Sequence, residues 1–316
     1  MGEILHFGKM GVKGVAVCAT FAAVALLASS CVRRELHVKP DEGHVILDFD
    51  WQNIVPGGSV PDKMSVYFYG ADGTLKREVV ENGRFGVTLA SGDYKVLTLN
   101  EEAVSSSVGF TNMEDFDRAY AYALPLNKKA EGEEFWIQQP GMLYSANLTD
   151  LTVNKEDTVA RTFVPASLVR WVILKIRFTG DADRVTNVSA ALTGVAPAVR
   201  LATLEHIDGV ASITEFEPKL STEETGLYTA SVLVFGVSAK DATGAVADNT
   251  VRLGVNFDNN GSQTLEEGIE IEEGTGDIEI DVELAVEVAA TSQGGFVAKV
   301  TKWEVTTDGM EVDNRP

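Results

Sequence analysis

Cysteine is almost missing from this chain, with two in 316 residues, Cys18 and Cys31. A disulfide-rich framework and a Cys-based metal site are both excluded. Histidine is nearly as scarce. Of four, His6 lies near the N-terminus, while His37, His44 and His206 are widely spaced and form no HExxH, HxH or Cys/His pattern. GxSxG, Walker and GxGxxG contexts are missing too, so there is no local signature for a nucleophile, a phosphate or a dinucleotide. Ser105-Ser106-Ser107 has no nearby base and reads as loop. Beyond residue 30 no run is apolar and long enough to cross a bilayer, which takes about 20 residues. Positive charge is in deficit, with 26 Lys and Arg against 47 Asp and Glu. Nucleic acid and anionic lipid surfaces repel such a chain and are not expected partners. No cofactor or small-molecule substrate is expected, and the chain reads as non-enzymatic.

What is present begins at the N-terminus. Lys9 and Lys13 precede an uncharged, largely apolar run over residues 14–28, which closes on Ala28-Ser29-Ser30-Cys31. Charged head, short apolar run and small residues describe a secretory signal. A Cys directly after those small residues resembles the lipobox of bacterial lipoproteins, in which that Cys is acylated and becomes the first residue. Leu26 and Leu27 lie just upstream, although Ala28 stands where the strongest lipoboxes carry Leu. Cys18 would leave with the signal, and acylation accounts for the solitary Cys31 that stays. Each buried lipid methylene adds about 0.8 kcal/mol of anchoring. The expected organisation is a lipoprotein signal peptide over 1–30 and a tether over 31–43. Without Glu3, Lys9 and Lys13 the mature chain holds 46 acidic and 24 basic side chains, a net charge of −22.

The remaining sequence alternates with a period of two between Gly, Asn and Asp turns. Val45, Leu47, Phe49 and Trp51 mark one buried strand face, and residues 65–69 form a strand ending at the Gly70-Ala-Asp-Gly73 turn. Residues 84–90 and 93–100 flank Ser91-Gly92 and predict a hairpin. Residues 111–127 are the best helix or long-loop candidate, and 141–147 return to strand. A second block starts near Ser167, with Val172, Leu174, Ile176 and Phe178 alternating before a turn at residues 180–183. Residues 228–237 predict a strand covered on both faces. Val251, Leu253, Val255 and Phe257 alternate up to an Asp258-Asn-Asn-Gly261 turn. Ile278, Ile280, Val282, Leu284 and Val286 alternate next, and residues 296–305 are the last strand. The polar stretch 148–165 is the best boundary. The pattern predicts an all-β chain of two sandwiches, over 44–165 and 166–316.

Two features invite a ligand. Residues 266–283 hold nine carboxylates and no cation, which suits a hard cation. Alternation with Ile and Val instead predicts a solvated hairpin around Gly274-Thr-Gly276. The four Trp (51, 136, 171 and 303) are dispersed. Trp51, Trp171 and Trp303 sit in strand patterns and read as core. Trp136 is the one candidate for an exposed ligand platform.

Several segments together resemble the fimbrillin-like lipoproteins of Bacteroidales, and more closely a group of uncharacterised lipoproteins related to fimbrillin anchor subunits. They are Cys31 followed by Arg33-Arg-Glu-Leu36, Asp48-Phe-Asp-Trp51, residues 91–100, residues 191–196, and the close from Gly294-Gly-Phe296 to Trp303. The resemblance implies two tandem transthyretin-like (Greek-key) β-sandwiches and a lipid anchor in the outer membrane. It also implies fimbrial subunits as partners, joined by β-strand complementation. Asp157-Thr158-Val159 resembles the Asp-Ser/Thr-apolar acceptor of Bacteroidales O-glycosylation, which makes Thr158 a candidate site. Two departures point away from a polymerising stalk subunit. The tail over 306–316 has only Met310 and Val312 as large apolar residues, a poor donor strand. Arg33 and Arg34 precede the first strand, so cleavage there opens no groove, and Arg84 is expected inside a strand. An anchor or accessory component fits better. The alternative is a cell-surface glycan-binding lipoprotein of a polysaccharide-uptake system, with Trp136 as its platform. The segment after Cys31 is basic, and periplasmic and surface-facing placements both remain open.

Overall fold

The computed structural model describes residues 41–54, 57–126, 135–207, 212–237, 249–269, 276–289 and 295–307. The expectations for the signal segment, Cys31, His37 and residues 308–316 lie outside these. The first half of the chain contributes β1 (Glu42–Phe49), β2 (Lys63–Gly70), β3 (Leu75–Glu81), β4 (Phe85–Ala90), β5 (Gly92–Leu99), β6 (Val108–Thr111), β7 (Tyr120–Ala123), β8 (Tyr144–Val153), β9 (Thr158–Phe163) and β10 (Ala166–Ser167). The second half contributes β11 (Arg170–Gly180), β12 (Val185–Val195), β13 (Ala198–Arg200), β14 (Ser212–Phe216), β15 (Lys219–Leu220), β16 (Leu227–Val234), β17 (Asn249–Phe257), β18 (Ser262–Ile269), β19 (Ile278–Val288) and β20 (Phe296–Thr307). The helical elements among the described residues are one α-turn, Glu101–Val104, and one 3-10 turn, Ala182–Arg184. The chain is all-β.

Five sheets result, in the strand orders β4-β1-β9, β10-β8-β5-β2-β3, β13-β7-β6, β15-β16-β11-β19-β20 and β14-β12-β17-β18. Neighbours run antiparallel apart from β1 with β9 and β11 with β19. The same plan therefore appears twice: an opening strand pairs antiparallel on one side, with β4 or β16, and parallel on the other.

Alternation explains the burial. Val45, Leu47 and Phe49 of β1 meet Met64, Val66 and Phe68 of β2 in one core between the first two sheets. In β11, Val172, Leu174, Ile176 and Phe178 are at most 3% exposed, and burying each such side chain is worth about 1.5–3 kcal/mol. Together with the inner residues of β19 beside them, these face those of β12 and β17 in a second core. That second core also takes in Tyr67, Tyr69, Leu97 and Leu99 from the other faces of β2 and β5. β2 is thus buried on both faces, and its pattern is a continuous run. Polar ties reinforce the packing. Buried Asn100 donates to the Met142 carbonyl (2.8 Å) and accepts from the Tyr144 amide (2.7 Å). The Asn147 amide donates to the Leu201 and Ala202 carbonyls at 3.2 and 2.8 Å.

Several expectations need correction. Residues 84–90 and 93–100 do not form a hairpin. β4 pairs with β1, and β5 pairs with β2 and β8, so the chain crosses from one sheet to the other at Ser91. Val87 and Leu89 then face Tyr94 and Val96 across the core rather than along one ladder. The acidic run is not a hairpin either. β18 pairs with β17, whereas β19 pairs with β11 and β20 in a different sheet. Of the helix or long-loop candidate over 111–127, residues 112–119 take the loop alternative, anchored by buried Phe116 and Ala119, and β7 follows where no strand was expected. The polar stretch 148–165 contains the second half of β8 and all of β9. Strand β16 is covered on both faces only from Val232 onward, since Thr229 and Ser231 are exposed. Arg84 is exposed in the loop between β3 and β4, outside any strand.

Candidate functional site

Where two facing sheets end, their outermost strands leave seams with unpaired backbone edges, the feature through which a β-sandwich can accept another chain. One seam lies between β18 and β20. There the Gln263 side chain stands in for a strand: its amide nitrogen donates to the Ala298 carbonyl (2.9 Å), and its oxygen accepts from the Ala298 amide (2.7 Å). Beyond that clamp, Leu265, Val300, Trp303 and Val305 are half-buried and pack against the core. The buried Trp303 indole N–H has no hydrogen-bond partner among the described residues. A second seam lies between β3 and β4, where a cavity of about 340 Å³ is lined by Val80, Phe85 and Val87. One hydrogen bond crosses it, from the Lys76 ammonium to the Thr88 carbonyl (3.1 Å). Leu75 and Val79 of β3 are 43% and 42% exposed beside it.

The titratable groups with displaced pKa values are structural. Burial, then the hydrogen bond to Glu101, pushes the Tyr67 phenol up to about 12. Burial also raises Tyr69 and lowers Arg170, with the Asp277 carboxylate opposing the second shift. Among the described residues no group of three or more His, Cys, Asp or Glu side chains could hold a metal ion. His44 lies on β1 and His206 forms a bridge to β13, in different sheets.

The sequence-predicted residues are not brought together. Thr158 opens β9, an edge strand, with an exposed side chain. Its amide donates to the Asp157 carboxylate (2.8 Å), and the Asp157 carbonyl accepts from the His44 amide (2.8 Å). Trp136 is half-buried and bridges to Ile213 of β14. Trp51 lies just past β1, edge-on to Tyr144 with 5.5 Å between ring centroids. Trp171 packs against the second core. The Gln263 clamp escaped the sequence reading. Its signal is a polar residue in register with Leu265 and Ile269, on the face that should be apolar.

The profile of a family described as a domain of unknown function (DUF5119) matches residues 30–216, more than half of the sequence. The chain belongs to this DUF5119 family. No curated protein matches it. Solved structures share its fold. A candidate adhesin from Bacteroides ovatus superposes with a TM-score of 0.56 at 19% identity, covering 72% of this chain and 82% of that one. The fimbrial anchor protein Mfa2 from Porphyromonas gingivalis gives 0.51 at 11% identity, covering 84% and 97%. A candidate adhesin from Bacteroides thetaiotaomicron gives 0.52 at 10% identity, covering 85% and 98%. These identities establish a common fold.

Proposed function

We propose that this protein is a lipid-anchored, non-enzymatic anchor or accessory subunit of a fimbrial assembly. The observation that carries the reading is the fold shared with a fimbrial anchor protein over 84% of this chain. In this reading the chain is two tandem transthyretin-like sandwiches, residues 44–165 and 166–316, and the repeated pairing of β1 and β11 supports that division. Cys31 carries the lipid that holds the protein in the outer membrane. A fimbrial subunit is joined by β-strand complementation at an open seam, where an added strand would satisfy edge groups and cover half-buried apolar residues. Thr158, exposed on an edge strand, carries an O-glycan.

The test is Cys31→Ala in the native host. The variant should move from the detergent phase to the soluble fraction, and fibres should appear in the medium. Unchanged membrane partitioning together with an unacylated N-terminus by mass spectrometry would sink the lipid assignment. Fibres that stay attached in cells lacking the protein would sink the anchor role. Intact-mass analysis of the native protein should show a glycan that Thr158→Ala removes, and a bare mass ends that assignment.

A further inference from the structure

A cleft of about 790 Å³ opens between β14 and β16, strands of different sheets. The chain passes from one sheet to the other over residues 217–219 and closes one end of it. Its walls present the amides of Gln138 and Gln139, the carboxylates of Glu215 and Glu217, and the hydroxyls of Thr229 and Ser231. Leu126, Ile173 and Ala230 add apolar surface, so that the wall is about as apolar as it is polar. The segment entering the cleft is extended along β14: the Ile137 amide donates to the Ile213 carbonyl and the Ile213 amide to the Phe135 carbonyl, both at 2.9 Å. Successive side chains of an extended segment point to opposite faces. Ile137 is buried at 1% exposure, so Trp136 shares the other face with Gln138, which lines the cleft. The half-buried indole is therefore on the cleft side of this segment, two residues before the lining Gln138 and not itself part of the wall.

We propose that this cleft binds a neutral oligosaccharide. Sugar hydroxyls are donors and acceptors at once. Amide side chains answer both functions, and carboxylates accept from the remaining protons. The apolar C–H face of a sugar ring packs against an aromatic face such as Trp136, whose ring offers a large apolar area with a polar edge. The charge balance selects against an anionic glycan, because the cleft sets two carboxylates against Lys219 on a chain of net charge −21. An extended apolar peptide fits less well, since about half of the wall is polar and its amides, carboxylates and hydroxyls would be covered without hydrogen-bond partners. The proposal rests on the cleft and is independent of the anchor reading.

The experiment uses the full chain in detergent on an array of neutral and acidic oligosaccharides, followed by calorimetric titration with the best neutral binder. Ser231→Tyr fills the cleft from an exposed position, and Gln138→Ala removes one amide. Each should weaken binding at least tenfold, with far-UV circular dichroism and melting temperature unchanged. Trp136→Phe should lose the fluorescence change that accompanies binding. Three results would overturn the proposal. One is that no neutral oligosaccharide binds. Another is that binding survives Ser231→Tyr undiminished. The third is that acidic glycans or an extended apolar peptide outcompete the neutral sugar for the cleft.

Discussion

The Tyr67 phenol donates to the Glu101 carboxylate at 2.8 Å, and Arg77 completes the group by reaching Glu101 at 2.8 Å and lying 5.6 Å from the Tyr67 ring centroid. Burial and Glu101 raise this phenol to about 12. A raised pKa on an acid means that the folded state favours the neutral form. The contribution is therefore whole below pH ~10, the ordinary tyrosine value, and is lost as pH climbs toward 12. Tyr67→Phe should cost about 1.5–3 kcal/mol at pH 8, the worth of a hydrogen bond to a charged group, and the gap to wild type should close between pH 10 and 12. Thermal melts across that range check it, and a pH-independent gap would show that the phenol is not the titrating group. Gly180 supplies a second case. It has φ +72, and a Cβ there would come within 2.5 Å of the Val286 carbonyl oxygen. Gly180→Ala should destabilise by about 2–3 kcal/mol, combining left-handed strain with displacement of β19, read as a lowered melting temperature. The sequence made Tyr67 legible as a strand residue but not as part of this cluster. Glu101 lies 34 positions away, and only the fold makes the two neighbours.

At the scale of elements, period-two alternation was legible wherever one face of a strand is buried, as in β11, β17 and β19. The partners of those strands were not. Ser91-Gly92 and the Gly276 region carry the same small residues whether a chain reverses within a sheet or crosses to the facing one, and inward alternation survives either path. What separates the two is whether the flanking side chains meet along a ladder or across the core, and that depends on strands far away in sequence. The double burial of β2 was hidden for a related reason, because nothing near Tyr67 and Tyr69 in sequence tells that a second core covers them. Gln263 shows how one side chain can govern an edge. Gln263→Ala releases both backbone groups of Ala298, costing about 1–3 kcal/mol for two hydrogen bonds. It also leaves β20 more open to edge pairing. Lower melting temperature and concentration-dependent association in sedimentation velocity are the expected outcome. An unchanged monomer with unchanged stability would mean that the clamp is not what protects the edge.

For the whole molecule, the anchor reading proposed above turns on whether the chain would extend a fibre or end one. Growth by strand exchange needs an acceptor seam and a donor with alternating apolar positions over about five to ten residues, the usual strand length. The β18–β20 and β3–β4 seams are the candidate acceptors in that reading. The sequence after β20, Asp308 to Pro316, has only Met310 and Val312 as large apolar residues, too few to fill a seam in a neighbouring copy. The chain's net charge of −21 adds mutual repulsion between copies at low salt. On the anchor reading proposed above, a chain with open seams and so poor a C-terminal donor receives one subunit and passes nothing on, as a fibre's end does. Purified protein freed of lipid should therefore remain monomeric over a wide concentration range in light scattering, at low salt and at 0.5 M salt alike. A peptide with alternating apolar residues should bind it with 1:1 stoichiometry. Filaments from this protein alone, abolished by deleting residues 306–316, would instead make the tail a donor and the protein a stalk subunit.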